Sequence, residues 1–339
     1  VTQIRLSAVV LAYGPDELLT EALAALRAAL NEVAGPTELI VVLNRISGHN
    51  RTELERSGDV VLLDPRRNLG FAAGVNAGIA RATGEWIALV NDDCIVEPSS
   101  LAELLAAGEA SADIGSVAAQ IRFADRPGTI NSAGIDVDVL GIATERLLGA
   151  PTSRSETQVT EVFGASGAAA LYRRAMLDEI AGFDESFFAY LEDADVAWRA
   201  RMAGWRCVYA PAAVARHHHS SSLGHGSPEK HFLVGRNRIR MLAKNATRAQ
   251  LLRYGPLMLA YDISYVTFVA FTARTAAPVL GRYRGSREWG SARKASQGRR
   301  RSITLSAPPG LIDAYGRWNI YKRRLAAKAP SGGDSAGPA

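Results

Sequence analysis

Apolar positions in the first ninety residues follow two alternating rhythms. Residues 6–12 form a mostly apolar, β-rich run of strand length. Pro15 and Asp16 then open a stretch in which Leu19, Leu23, Leu26, Leu30 and Val33 recur three or four apart, the spacing of one helix face. Gly35-Pro36 stops it. Residues 38–43 and 59–63 return to the strand pattern, 71–82 read as a helix, and 85–90 as a fourth strand. Strands apolar at successive positions, separated by amphipathic helices, predict an α/β fold with a doubly wound, mostly parallel sheet.

The same reading predicts a helix over 98–110 and a strand over 115–121. Between 122 and 160 Gly, Pro, Ser and Thr are frequent, which predicts loops with short strands over one face. A short helix follows at 173–181, another at 193–203 closed by Gly204, and a strand at 205–209 ending at Pro211. Residues 251–280 are apolar and aromatic, carry Asp262 and Arg274, and are bracketed by Pro256 and Pro278. A membrane span needs about 20 unbroken apolar residues. This run predicts helices lying in or against a membrane interface, or packing on the core or on a second subunit of a homo-oligomer. The expected division is an α/β domain over 1–245, an apolar helical and basic segment over 246–301, and a helix with a flexible tail over 302–339.

Charge refines that division. The chain of 339 residues has net charge +5, but Arg282 to Arg301 holds eight basic residues against Glu288 alone. That stretch carries +7, so the rest nets −2. It reads either as a patch attracted to an anionic lipid surface or as a solvated linker. Nucleic acid is not an expected partner, because Tyr283 and Trp289 are its only aromatics and no base-reading motif accompanies them. With two cysteines, Cys94 and Cys207, no disulfide framework is expected, and the first residues lack a signal-peptide pattern. A reducing, cytoplasmic compartment follows, at the inner face of the cell membrane if the C-terminal helices dock there.

Candidate chemistry begins where the fourth strand ends. Asn91-Asp92-Asp93 puts two carboxylates at the carboxyl edge of the sheet, where open α/β folds place ligands. Hard oxygen donors suit Mg²⁺ or Mn²⁺ bridging a diphosphate, although Asn and Asp are also ordinary turn residues. Gly70, Gly74 and Gly78 share one helix face, best read as close packing of helix on sheet. Asn68 suits the start of that helix. A second acidic group, Glu192-Asp193-Ala194-Asp195, follows Phe187, Phe188 and Tyr190. Asp195 and Arg199 are four apart and pair on a helix, which leaves Glu192 or Asp193 to act as a base with a pKa raised by aromatic surroundings. In Arg216-His217-His218-His219, His217 and His219 share a strand face, and one of them can join Asp93 in a metal site.

Together these motifs resemble the inverting glycosyltransferases of family 2, which have the GT-A fold. The likeness covers roughly residues 6–245. It rests on Asn68-Leu69-Gly70-Phe71 with Asn76-Ala77-Gly78, on Thr83-Gly84-Glu85, Asn91-Asp92-Asp93 and Pro98, on Gly182-Phe183-Asp184-Glu185, and on Glu192 to Asp195 with Trp198-Arg199. Within that family it is similar to bacterial rhamnosyltransferases and galactofuranosyltransferases that act on lipid carriers. The resemblance implies that Asp93 and His217 hold a Mg²⁺ or Mn²⁺ ion and that Asp193 is the base, with Glu192 beside it. It implies a nucleotide-sugar site at Tyr13, Asn44, Asn68, Gly70, Asn76 and Asp92. It implies transfer of a sugar, L-rhamnose from dTDP-rhamnose as the leading choice, to a lipid-linked saccharide. Arg236-Asn237 matches a further family pattern without an assigned role. One departure stands out. Leu43, in Val42-Leu43-Asn44-Arg45-Ile46-Ser47, replaces an Asp that usually contacts the nucleobase, leaving that contact to Asn44 or Arg45.

Two rival readings differ in what they need. A sugar nucleotidyltransferase requires a glycine-rich phosphate loop after the first strand, where this chain has Tyr13-Gly14-Pro15-Asp16. A non-catalytic nucleotide-sugar-binding assembly protein would account for Leu43 but has no use for both Asp93 and Asp193.

Overall fold

Alternation along the first strands sorts their side chains onto two buried faces. In the computed structural model, which describes residues 3–44, 48–218, 227–296, 298 and 300–308, β1 (Leu6–Ala12) sends Leu6, Ala8, Val10 and Ala12 to one core and Val9 and Leu11 to the other. Next come α1 (Asp16–Asn31), β2 (Thr37–Leu43), α2 (Gly48–Ser57), β3 (Val61–Leu63), α3 (Gly70–Arg81) and β4 (Trp86–Asn91). They are followed by β5 (Cys94–Val96), α4 (Ser100–Glu109), β6 (Ile114–Phe123), β7 (Arg126–Ser132), β8 (Ile135–Val137) and β9 (Ala143–Glu145). Then come β10 (Thr160–Val162), β11 (Ala169–Arg173), α5 (Arg174–Ile180), α6 (Glu192–Ala203) and β12 (Arg206–His217). Four helices follow: α7 (Pro228–Asn245), α8 (Arg248–Ala273), α9 (Ala277–Arg287) and α10 (Trp289–Ala295). The chain divides into two compact units at Ala307, and the second, with the expected tail, lies outside the described residues except for Pro308.

Helices α1, α2 and α4 cover one sheet face, and α3, α5 and α6 the other. This is the two-sided burial expected of an α/β fold. The sheet order is β10-β12-β6-β11-β4-β1-β2-β3. Strands β3, β2, β1 and β4 are parallel, as are β6 and β12, while β11 lies antiparallel between β4 and β6. The glycine face of α3 packs on β1, where a Cβ on Gly74 would come within 2.4 Å of Leu11 and one on Gly78 within 2.3 Å of Val9. Only glycine admits that approach.

The structure differs from the sequence reading at four places. Helix α2 was not expected; it presents Leu54 as its buried apolar residue, too little for a periodic signal. Strand β12 does not end at Pro211 but continues to His217, with a register shift between Ala210 and Val214. A bulge accommodates the missing proline N–H. Pro256 lies inside α8 and does not bracket it. The carbonyl it deprives of a partner belongs to exposed Leu252, which water reaches. The basic stretch is helical as far as Ala295, not a loose linker there: Arg282 pairs with Asp262 at 2.7 Å and Arg284 with Glu288 at 2.7 Å. Helix α9 runs so close to α7 that a Cβ on Gly281 would sit 2.1 Å from the Phe232 carbonyl oxygen.

Candidate active site

The acidic turn joins β4 to β5 at the carboxyl edge of the sheet. Asp92 Oδ2 accepts the backbone N–H groups of Tyr13 and Gly14, each at 2.6 Å. Burial raises its pKa against the pull of those two amides. The amides after β1 are therefore spent on a protein carboxylate, not presented as a phosphate loop, which removes the basis of the nucleotidyltransferase reading.

Strand β5 pairs with the end of β12 and sets His217 opposite Cys94. That register brings His217 Nε2 to 3.1 Å from Asp93 Oδ1, both residues buried. Asn131 Oδ1 lies 3.0 Å from His217 Nδ1. An amide oxygen only accepts, so Nδ1 carries a hydrogen, and Nε2 is the ring nitrogen that faces the carboxylate. A carboxylate facing an imidazole nitrogen is a pair that can hold a cation, and a histidine anchored through its other nitrogen is the usual form of a metal ligand. Among the described residues no group of three or more His, Cys, Asp or Glu side chains is arranged to hold a metal ion by itself. A Mg²⁺ or Mn²⁺ ion fits the pair if substrate oxygens and water complete its shell. His219 lies outside the described residues.

The second acidic group reaches the same edge through one dipeptide. Ala168 O accepts the N–H of Asn91 at 2.9 Å, and the N–H of Gly167 donates to Asp193 Oδ2 at 3.2 Å. Asp193 Oδ1 accepts the N–H of Ala194 at 2.8 Å at the start of α6. Burial raises the Asp193 pKa. Burial, then the charge of Asp193, raises that of Glu192, whose Oε2 has no hydrogen-bond partner among the described residues. Asp195 pairs with Arg199 at 2.7 Å, as the spacing predicts, and also with Lys244 at 2.8 Å. Burial opposes its ionisation, yet these cations hold its pKa below the ordinary value.

Glu145, at the end of β9, was not singled out in the sequence. Ser166 Oγ donates to its Oε1 at 3.2 Å, and its Oε2 bonds the Ser132 hydroxyl. Burial and then Asp193 push it up to about 8. A three-residue strand carries no period, and its partners come from β7 and the loop before β11, so nothing local announces it.

The remaining expected residues form a scaffold around α3. Asn44 Oδ1 accepts the N–H of Leu69 at 2.6 Å, and its Nδ2 donates to Asn68 Oδ1 at 3.1 Å. Asn68 Oδ1 also accepts the N–H of Gly70 at 2.8 Å. Asn76 exchanges hydrogen bonds with the Phe183 backbone at 2.8 and 3.0 Å, away from the acidic turn in this network. Leu43 is buried beside Leu39 and Val41 in the core, and residues 45–47 lie outside the described residues.

Comparison with known proteins agrees with this architecture. A family described as "Glycosyltransferase like family 2" matches residues 4–232. Over 243 residues the chain is 28% identical to the N-acetylglucosaminyl-diphospho-decaprenol L-rhamnosyltransferase of Mycobacterium tuberculosis, covering 65% of this chain and 78% of that protein. It is 32% identical over 225 residues to the uncharacterized protein y4gI of Sinorhizobium fredii, covering 60% of this chain but spanning only 24% of that longer protein. Two solved structures share the fold. GalNAc-T7 with UDP, GalNAc and Mn²⁺ has a TM-score of 0.57 at 13% identity, over 72% of this chain and 49% of that one. The mannosyltransferase PcManGT from Pyrobaculum calidifontis, in complex with GDP-Man and Mn²⁺, has a TM-score of 0.51 at 16% identity, over 96% and 84%. The match extends over well more than half of the sequence, and the chain is a GT-A-fold member of glycosyltransferase family 2.

Proposed function

We propose that the chain moves a sugar from a nucleoside diphosphate to an acceptor hydroxyl with inversion, using Asp193 as the base. The observation that carries this is the Gly167-Ala168 link, which ties a buried carboxylate of raised pKa to the acidic turn. In this reading Asp193 takes the proton of an acceptor alcohol as that oxygen attacks the anomeric carbon, and the nucleoside diphosphate leaves from the opposite face. Asp93 and His217 would hold a divalent ion, Mg²⁺ or Mn²⁺, whose charge favours diphosphate departure. Burial and the charge of Asp193 push Glu192 and Glu145 up to about 8, which favours their protonated forms at neutral pH. Residues around Tyr13, Asn44, Asn68, Gly70, Asn76 and Asp92 frame the donor side.

One relative supports a choice of sugar and acceptor. The mycobacterial protein is named as an N-acetylglucosaminyl-diphospho-decaprenol L-rhamnosyltransferase, which supports L-rhamnose as the sugar and a lipid-linked saccharide as the acceptor; dTDP-rhamnose is the donor in this proposal. Helix α8 supports the second choice. Within its 26 residues an 18-residue window has mean hydropathy 1.3, and Leu252, Leu257, Leu259, Ile263 and Phe271 are exposed on it. In this proposal residues 1–245 carry the reaction and 246–301 hold the protein on the inner face of the membrane.

The test is Asp193→Asn assayed with a panel of nucleotide sugars and Mn²⁺. Sugar transfer is expected to vanish while donor binding, read as a rise in melting temperature, persists. Transfer by the variant at the wild-type rate overturns the assignment.

A further inference from the structure

The segment that delivers Asp193 is held in a costly backbone conformation. Phe188, Tyr190 and Leu191 have φ of 65°, 71° and 68°. None is glycine, and side chains of this size rarely enter that region unless the surroundings impose it. Leu191 is the residue before α6, so its conformation sets the direction in which Glu192 and Asp193 leave the loop.

Two elements impose the conformation. From one side, the first amides of α3 donate to the Phe188 carbonyl, Phe71 N at 2.5 Å and Ala72 N at 3.2 Å. From the other, Asn237 reaches in from the middle of α7. Its Nδ2 lies 2.9 Å from Phe187 O, 2.8 Å from Ala189 O and 2.8 Å from Tyr190 O, and the residue is wholly buried. Three carbonyls converging on one atom require a donor there, which fixes the orientation of the amide. Its Oδ1 has no hydrogen-bond partner among the described residues. The donor end of this side chain is what the fold uses.

We propose that Asn237 is a positioning residue for sugar transfer: by gathering the carbonyls of residues 187, 189 and 190 it holds the left-handed loop that aims Asp193 at the acceptor. This rests on the reading of Asp193 as the base. It also gives a role to the Arg236-Asn237 motif, whose arginine serves elsewhere, 3.1 Å from Glu288.

The experiment compares wild type, Asn237→Ala and Asn237→Ser as purified full chains. Amide hydrogen exchange is read by mass spectrometry, and turnover is read as dTDP and free rhamnose released from dTDP-rhamnose with Mn²⁺, water taking the place of the acceptor alcohol. For Asn237→Ala, exchange over 188–193 is expected to rise at least tenfold, with β1 and β4 unchanged. kcat is expected to fall at least tenfold, and KM for the donor to stay within about twofold. Adding Leu191→Gly, which adopts a positive φ freely, is expected to restore part of kcat, whereas Leu191→Ala restores none. If Asn237→Ala does not fold, Asn237→Ser, which keeps one donor, carries the same comparison with smaller changes. Unchanged exchange over 188–193, or unchanged kcat, overturns the proposal, as does equal rescue by Gly and Ala. Because exchange is read without substrate, an active Asp193→Asn enzyme would remove the base and leave the loop measurement standing.

Discussion

Replacing Glu145 by Gln tests whether a neutral carboxylic acid sits beside the base. In the folded chain burial, with the charge of Asp193 added, pushes Glu145 up to about 8 from an ordinary value of 4.5. Between those pH values the folded state keeps a proton that the unfolded state has lost. Stability associated with this group is therefore complete below the unfolded value and declines as pH rises toward the folded one. At pH 7 the gap spans roughly 2.5 units at about 1.36 kcal/mol each, or about 3 kcal/mol, falling to about 1 kcal/mol at pH 5. These are ceilings, since Glu145 is only half-buried as a residue. Glutamine keeps the shape and hydrogen-bonding capacity toward Ser132 and Ser166 but does not titrate. Urea denaturation of both proteins at pH 5 and pH 7 measures the difference. Glu145→Gln is expected to be more stable at both, with the larger gain at pH 7. Equal gains at the two pH values, or a loss at pH 7, would refute the buried-acid argument.

Three further outcomes follow from the same geometry. His217→Ala is expected to weaken Mn²⁺-dependent donor binding at least tenfold with little change in the melting temperature without metal, measured by calorimetric titration and thermal shift. Lys244→Met leaves Asp184 and Asp195, now 2.7 and 2.8 Å from the ammonium, without it; a loss of about 3–5 kcal/mol in denaturant unfolding is expected, and a loss under 1 kcal/mol would contradict that pairing. Exchanging Leu252, Leu259 and Phe271 together for Ser is expected to release the protein from anionic lipid vesicles in a sedimentation assay while leaving its oligomeric state in detergent-free buffer unchanged. Retention on vesicles would move α8 from the membrane to a protein partner.

The N-terminal half was legible because its signals are local. Leu19 to Val33 and the strands from Leu6 to Val90 repeat at helix and strand periods, and each is buried as that repeat requires except the half-buried edge strand β3. The acidic groups were legible as composition, but their partners were not. Nothing near Asp93 in the chain points to Asn131, which orients His217 from a separate strand. Glu145 was hidden because β9 has three residues and draws its neighbours from 13 to 21 positions away. Helix α2 was hidden by its polarity, and the far end of β12 by a proline that a bulge makes harmless. In α8 the apolar content was plain, yet Asp262 masked its continuity, because a charge in a nonpolar run reads as a break until Arg238 and Arg282 are seen to neutralise it at 2.8 and 2.7 Å.

The reversed direction of β11 has a mechanical consequence. Because it enters the sheet against β4, its leading end abuts the acidic turn, and its Ala169 faces Val90. A slip of β11 by one position would carry Ala168 off Asn91 and Gly167 off Asp193 in the same motion. The two carboxylate stations thus share one rail, and a shift of that rail displaces both together.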